Sequence, residues 1–339
     1  MGNPCGTATI EHGGDLHEAR RRFGEPDGGW IDLSTGINPN PFPFTPPPAV
    51  CWQRLPEDGD GLAETAAAVY GAPRSLPVPG SQAAISWLPA LWPPSRVAIH
   101  FPEYGEHAAA WGRAGHRVDR ISRQRITDGP GADDPWRFLV LSNPGNPLGT
   151  LHAPDTLRAW RTALEARGGA LVVDEAFMDA QKEALSLAPE AGGPGLVVLR
   201  SLGKFYGLAG ARLGFALAEP RILEPLAARL GPWPVAGPTR TVALQALRDE
   251  NWRAAERHRL TEAAARLDGL LAQEGWTARG ACPLFRWVAV EKPAAAQSRL
   301  AQGGVWTRRF DDPPGLRIGL PGPEEAWQRL IKFLKSIAR

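Results

Sequence analysis

From about residue 60 to residue 220, short apolar runs alternate with longer amphipathic stretches. Arg96–His100, Arg137–Ser142, Ala170–Val173 and Leu196–Arg200 read as strands. Between them, segments such as 152–167 place apolar side chains at helical spacing. This alternation predicts an α/β fold built on a doubly wound, mostly parallel sheet.

The last third has a different rhythm. Residues 240–273 predict one long helix or two joined ones. Short strands are expected at Leu284–Val290, Val305–Arg309 and Leu316–Leu320. The stretch Glu324–Ala338 puts Trp327, Leu330, Ile331, Leu334 and Ile337 on one helical face. The expected organisation is an N-terminal segment (1–45) that joins a smaller α+β domain (226–339), with a large domain (46–225) between. Residues 38–48 are too rich in proline for a helix or a central strand, and read as an ordered crossing segment or linker.

Composition narrows the classes. The chain has 339 residues, room for roughly two domains. Its formal charge is only +2, with no basic tract to neutralise a row of phosphates, so a nucleic-acid partner is not expected. The three cysteines, Cys5, Cys51 and Cys282, are too scattered for a disulfide framework or a zinc pair. The first ten residues lack a signal-peptide pattern, and no apolar run approaches the ~20 residues of a membrane span. A soluble, cytoplasmic protein without a metal is expected.

Four strand candidates run into polar residues that a mere core would not need. They are followed by Phe-Pro-Glu-Tyr104-Gly-Glu-His107, Asn143-Pro-Gly-Asn146-Pro-Leu-Gly149, Asp174-Glu-Ala-Phe177 and Ser201-Leu-Gly-Lys204. Singly, each has an ordinary explanation, as a turn, a helix cap or a solvated lysine. In open parallel sheets, however, ligands bind at the carboxyl ends of strands, so these residues are candidates to converge. The set meets the needs of pyridoxal 5'-phosphate (PLP): an amine for its aldehyde, a carboxylate for its pyridine nitrogen, a donor for its phenolic oxygen and an aromatic face. Gly80-Ser81-Gln82, entering a helical stretch, offers amides to an anion.

These segments, with Gly210-Ala-Arg212-Leu-Gly after the lysine, resemble the signatures of fold-type I PLP-dependent enzymes, over nearly the whole chain. The closest subgroup contains the histidinol-phosphate aminotransferases. Within it, His12-Gly13-Gly14, Asp32-Leu-Ser-Thr-Gly-Ile-Asn38-Pro and Arg200-Ser-Leu-Gly-Lys204-Phe-Tyr206 resemble the branch that decarboxylates phosphothreonine for cobalamin biosynthesis. The resemblance implies a large sheet domain plus a small domain, PLP as cofactor, a phosphorylated amino acid as substrate and a homodimer with sites at the interface. Its alternative is an aminotransferase of the histidinol-phosphate type, because the same residues serve both reactions.

Carried over residue by residue, the resemblance implies that Lys204 holds PLP as an imine and that Asp174 pairs with the pyridine nitrogen. Asn146 would donate to the phenolic oxygen, Tyr104 stack on the ring and His107 brace Asp174. Ser81, Gln82, Ser201 and Arg212 would hold the cofactor phosphate. Arg317 would bind the substrate carboxylate with Arg308 nearby, Asn38 would sit close to the substrate, and His12 would meet its phosphate. Cis peptides are implied at Phe101–Pro102 and Asn146–Pro147. The chain departs from the family pattern at Phe177 and Leu55, where tyrosines are usual, and at Leu148, where threonine is usual.

Overall fold

The computed structural model describes residues 12–335. Its strands are β1 (Ile31–Leu33), β2 (Leu76–Val78), β3 (Arg96–His100), β4 (Arg117–Ile121), β5 (Phe138–Ser142), β6 (Ala170–Asp174), β7 (Leu196–Ser201), β8 (Gly214–Ala218), β9 (Ala278–Arg279), β10 (Phe285–Ala289), β11 (Val305–Asp311) and β12 (Pro314–Gly319). Seven form one sheet in the order β2-β8-β7-β6-β5-β3-β4. The run from β7 to β4 is parallel, while β8 and β2 pair antiparallel.

Both faces of this sheet are covered, which is why its central strands are apolar throughout. Leu139, Leu141, Leu171 and Val173 face one core with Leu157, Trp160 and Leu164 of the helix Pro154–Glu165. Phe138, Val140 and Val172 face the other, against Ala84, Ile85, Trp111 and Leu226. Consecutive residues alternate between the two cores, as the pleat requires. The carboxyl ends of β3, β5, β6 and β7 therefore share one edge.

The second sheet has the order β1-β11-β12-β10-β9. Its N-terminal strand pairs parallel with β11, Ile31 opposite Val305. The 240–273 stretch is two helices, Gly237–Arg248 and Glu250–Gln273, because Asp249 between them caps the second by accepting from Trp252 N at 2.9 Å. Residues 38–48 form neither helix nor strand, yet Phe42 is buried there and its N–H donates to Tyr206 O. Sequence reading missed β1, β2, β4, β8 and β9. β1, β2 and β9 are only two or three residues long, and β4 mixes charged with apolar residues, so no run stands out there; β8, Gly214–Ala218, is an apolar run that the reading left unassigned. The peptides Phe101–Pro102 and Asn146–Pro147 are cis, as are Asn143–Pro144 and Asp312–Pro313. The expected helical position Ile337, like Cys5, lies outside the described residues.

Candidate active site

A cavity of about 440 Å³ opens at the carboxyl ends of β3, β5, β6 and β7. Lys204, three residues past β7, reaches it from a turn held by Asn38 N–H donating to Lys204 O. Its Nζ has one long contact, 3.4 Å to Thr35 O. Burial pushes this amine down to about 8, Arg317 and Arg212 push the same way, and Asp174 and Asp32 oppose them. A neutral, nucleophilic amine is therefore accessible near neutral pH.

Asp174 is the last residue of β6, opposite Ser142 of β5. Its Oδ1 accepts from Ala176 N, and its Oδ2 lies 3.1 Å from His107 Nε2. His107 is fully buried. Burial lowers its pKa, but the hydrogen bond and charge of Asp174, with Glu103 and Glu106, raise it above the ordinary value. Tyr104, one residue before the helix Gly105–Arg113, donates from its hydroxyl to Gln82 Oε1 at 3.0 Å. Burial, with Glu106 and Asp174, pushes that phenol up to about 12, so it remains a neutral donor.

Asn146 sits in the loop after β5. Asn143 braces that loop, its Oδ1 accepting from His152 N at 3.0 Å. Asn146 Oδ1 accepts from Arg317 Nη1 at 2.5 Å, leaving its NH2 as a donor. Arg317 also donates to Ser34 O, so β12 of the small sheet closes over the cavity. Burial and the neighbouring Arg308 lower Arg317 to about 10, which keeps it a cation at neutral pH.

The remaining wall is a small cradle. Gly80 has φ +74°, and a Cβ there would come 2.8 Å from Arg212 Nη2. At Gly214 a Cβ would come 2.5 Å from Ser81 N. Two glycines thus let Ser81 and Arg212 approach each other, beside the Ser201 hydroxyl. Amides, hydroxyls and a guanidinium around one small space suit a phosphate.

His12 lines the outer wall, its Nε2 3.2 Å from Glu106 Oε1. The segment after it is tied down by Gly14 N–H donating to Ser34 Oγ at 2.7 Å. Two expected substrate residues are not among the cavity-lining side chains. Asn38 spends both amide hydrogens on Phe205 O and Glu256 Oε1, and its Oδ1 accepts from Asn40 N and Arg259 Nη2. It supports the Lys204 turn rather than offering a free group to a substrate. Arg308 lies opposite Arg317 on the neighbouring strand and donates to His12 O, without itself lining the cavity. Sequence reading had not assigned Thr35, Ile37 and Ser142 to the lining. Thr35 and Ile37 follow β1, a strand too short to announce itself.

A sequence model described as "Aminotransferase class I and II" matches residues 62–334. The chain belongs to the class I and II aminotransferase family. A threonine-phosphate decarboxylase of Pseudomonas aeruginosa is 48% identical over 95% of this chain and 96% of its own length. One from Sinorhizobium sp is 41% identical over 96% and 97%. Among solved structures, the histidinol-phosphate aminotransferase of Sinorhizobium meliloti in complex with pyridoxal-5'-phosphate aligns with a TM-score of 0.78 at 18% identity, over 98% of this chain and 96% of that one. At that identity the likeness establishes the fold: fold-type I, with the mostly parallel central sheet described above.

Within this family frame the departures have plain local consequences. Phe177 lines the cavity with no hydroxyl to give, and its ring packs edge-on against Phe285 at 5.1 Å. Leu55 lies on the surface, 61% exposed, beside Arg54, which pairs with Glu57 at 2.9 Å.

Proposed function

We propose that this chain is a PLP-dependent decarboxylase of L-threonine O-3-phosphate, releasing CO2 and (R)-1-aminopropan-2-yl phosphate in cobalamin biosynthesis. One observation carries the reading: a single cavity holds an amine of lowered pKa, a buried carboxylate and a glycine-walled anion cradle, with a second anion receptor, Arg317, on the opposite sheet. The whole-length likeness to threonine-phosphate decarboxylases supports the choice of substrate.

The residues fit PLP group by group. Lys204 offers the amine for its aldehyde. Asp174, braced by His107, would pair with the pyridine nitrogen and keep it protonated. Asn146 would donate to the phenolic oxygen. Tyr104 would stack on the ring, and Ser81, Gln82, Ser201 and Arg212 would take the phosphate. When bound, PLP supplies the sink for the electron pair left on Cα.

The chain's own part is orientation and proton traffic. Arg317 presents a planar guanidinium that can hold both carboxylate oxygens. His12 and the Gly13-Gly14 amides meet the substrate phosphate at the other end. Holding both anions fixes the rotation at Cα and so selects which Cα bond would align with the cofactor's electron sink. With Cα–COO⁻ in that position, the bond would break, CO2 would leave and the electron pair would stay on Cα. A proton carried by the Lys204 ammonium would then be delivered to Cα. A Cα–H bond in the same position would give transamination instead.

A homodimer is part of this reading. Trp52 is 73% exposed and Leu55 61%, with Val50, Phe44 and Trp233 also exposed. Such apolar surface supports burial against a second copy. The other partners expected are small molecules, and a cytoplasmic location accords with the lack of any membrane-length apolar helix among the described residues. The test is to incubate the PLP-loaded protein with threonine phosphate and measure CO2 and keto acid together. Stoichiometric CO2 with the amino-alcohol phosphate is expected. Keto acid in its place means an aminotransferase.

A further inference from the structure

Behind the cavity lies a buried polar cluster that none of these steps uses. Glu103 sits on the loop after β3, its side chain 4% exposed. Its Oε1 accepts from Tyr104 N at 2.7 Å and from Ser142 Oγ at 2.6 Å, and its Oε2 accepts from Ser142 N at 2.6 Å. His100 Nδ1 lies 3.7 Å from Oε2, within ion-pair range but too long for a hydrogen bond. His152 stands edge-on to His100, ring centroids 5.4 Å apart. Burial disfavours the Glu103 charge. Contact with His100, the charges of His100 and His107 and the Ser142 hydrogen bonds outweigh it and hold the carboxyl below its usual range. Burial, with the nearby His100 and Arg123, depresses His152 to about 4, so it stays neutral at neutral pH.

This carboxylate joins two parts of the site. Tyr104 follows it in sequence, and Ser142 is the β5 residue in register with Asp174. One anion therefore ties the Tyr104 loop to the strand end beside Asp174. His107 hydrogen-bonds Asp174 at 3.1 Å, and the charges of Glu103 and of Glu106, on its own helix, act on it in the same sense as that of Asp174. We propose that Glu103 is a positioning residue: it locks the Tyr104 loop onto β5 and supplies part of the negative field that governs the Asp174–His107 pair. The proposal rests on the reading of this cavity as the PLP site.

Glu103→Gln keeps the volume, removes the charge and turns an NH2 group toward at least one donor. In apoprotein, imidazole NMR should show the His107 midpoint falling by about one pH unit against wild type. The PLP dissociation constant should rise about tenfold, as expected when a buried donor loses its acceptor. A folded Glu103→Gln protein with an unmoved His107 midpoint, or with unchanged PLP affinity, overturns the proposal whatever its stability. Ser142→Ala is the second variant, should the amide prevent folding. It keeps the charge and cuts one arm of the clamp, so PLP affinity should fall severalfold, and unchanged affinity overturns the proposal. The apoprotein titration needs no cofactor. Wild type that never takes up PLP would sink the cofactor reading, while a shifted His107 midpoint would still support Glu103's electrostatic role.

Discussion

Asp174 and Glu175 are neighbours in sequence, both buried carboxylates at the end of one strand, and they do opposite things. Glu175 turns away from the cavity into a closed network. It accepts from Ser186 Oγ at 2.6 Å and Leu187 N at 2.8 Å, and pairs with Arg200 Nη2 at 3.1 Å. Arg200 spans from there to Asp179, also at 3.1 Å. Among the described residues, Asp174 has only His107 and one backbone N–H as side-chain partners, and it lines the cavity. The neighbouring strand β7 repeats the division: Arg200 belongs to the closed network, while Ser201 lines the cavity. Strand alternation gives each face its own set of polar residues. Charges that answer one another hold the strand ends in place, while those with fewer protein partners line the cavity.

Substitutions on the two faces should therefore fail in different ways. Lys204→Ala should reduce turnover to background with little loss of stability. In wild type, borohydride reduction of the PLP-loaded protein and peptide mapping should place the label on Lys204; label on another lysine would refute the assignment. Arg200→Ala should do the reverse. It strands Glu175 and Asp179 as buried, unpaired carboxylates, at a cost of roughly 3–5 kcal/mol. Denaturant unfolding measures this, and a loss within 1 kcal/mol, roughly the worth of an exposed pair, would show the network to be dispensable.

Asp174→Asn should retain PLP but lose about 10²-fold or more in kcat, since an amide cannot hold the pyridine nitrogen protonated. Near wild-type turnover would make Asp174 another structural carboxylate like Glu175. A milder effect comes from pH. A protonated lysine cannot attack an aldehyde, so PLP capture by apoprotein should accelerate as pH rises to about 8 and then level off. Acceleration continuing toward 10.5, the ordinary lysine value, would mean that the amine is not buried as described. The smallest effects belong to the substrate end. His12→Ala should lower kcat/KM severalfold for threonine phosphate but not for threonine, and Arg317→Lys should lower both by about tenfold. Equal losses for both substrates in His12→Ala would place the phosphate elsewhere.

Much of the cofactor end was legible in sequence, because each group there follows its own strand directly. Tyr104, Asn146, Asp174 and Lys204 lie within a few residues of buried apolar runs, and a parallel sheet must bring such strand ends to one edge. Local order therefore carried the four strands, the fold class and the lysine's place at the cavity. The tertiary structure decided what depends on partners far along the chain. Arg317 reaches Asn146 across 171 residues, and Asn38 is consumed by Glu256 across 218 and Arg259 across 221. That Arg308 stands opposite Arg317 is decided by the register of two antiparallel strands. Glu103 reads as one more polar residue in a loop until β5 closes over it. Whether a side chain is spent on the protein or left for a ligand depends on which distant donors and acceptors the fold sets beside it, and sequence spacing records only near neighbours.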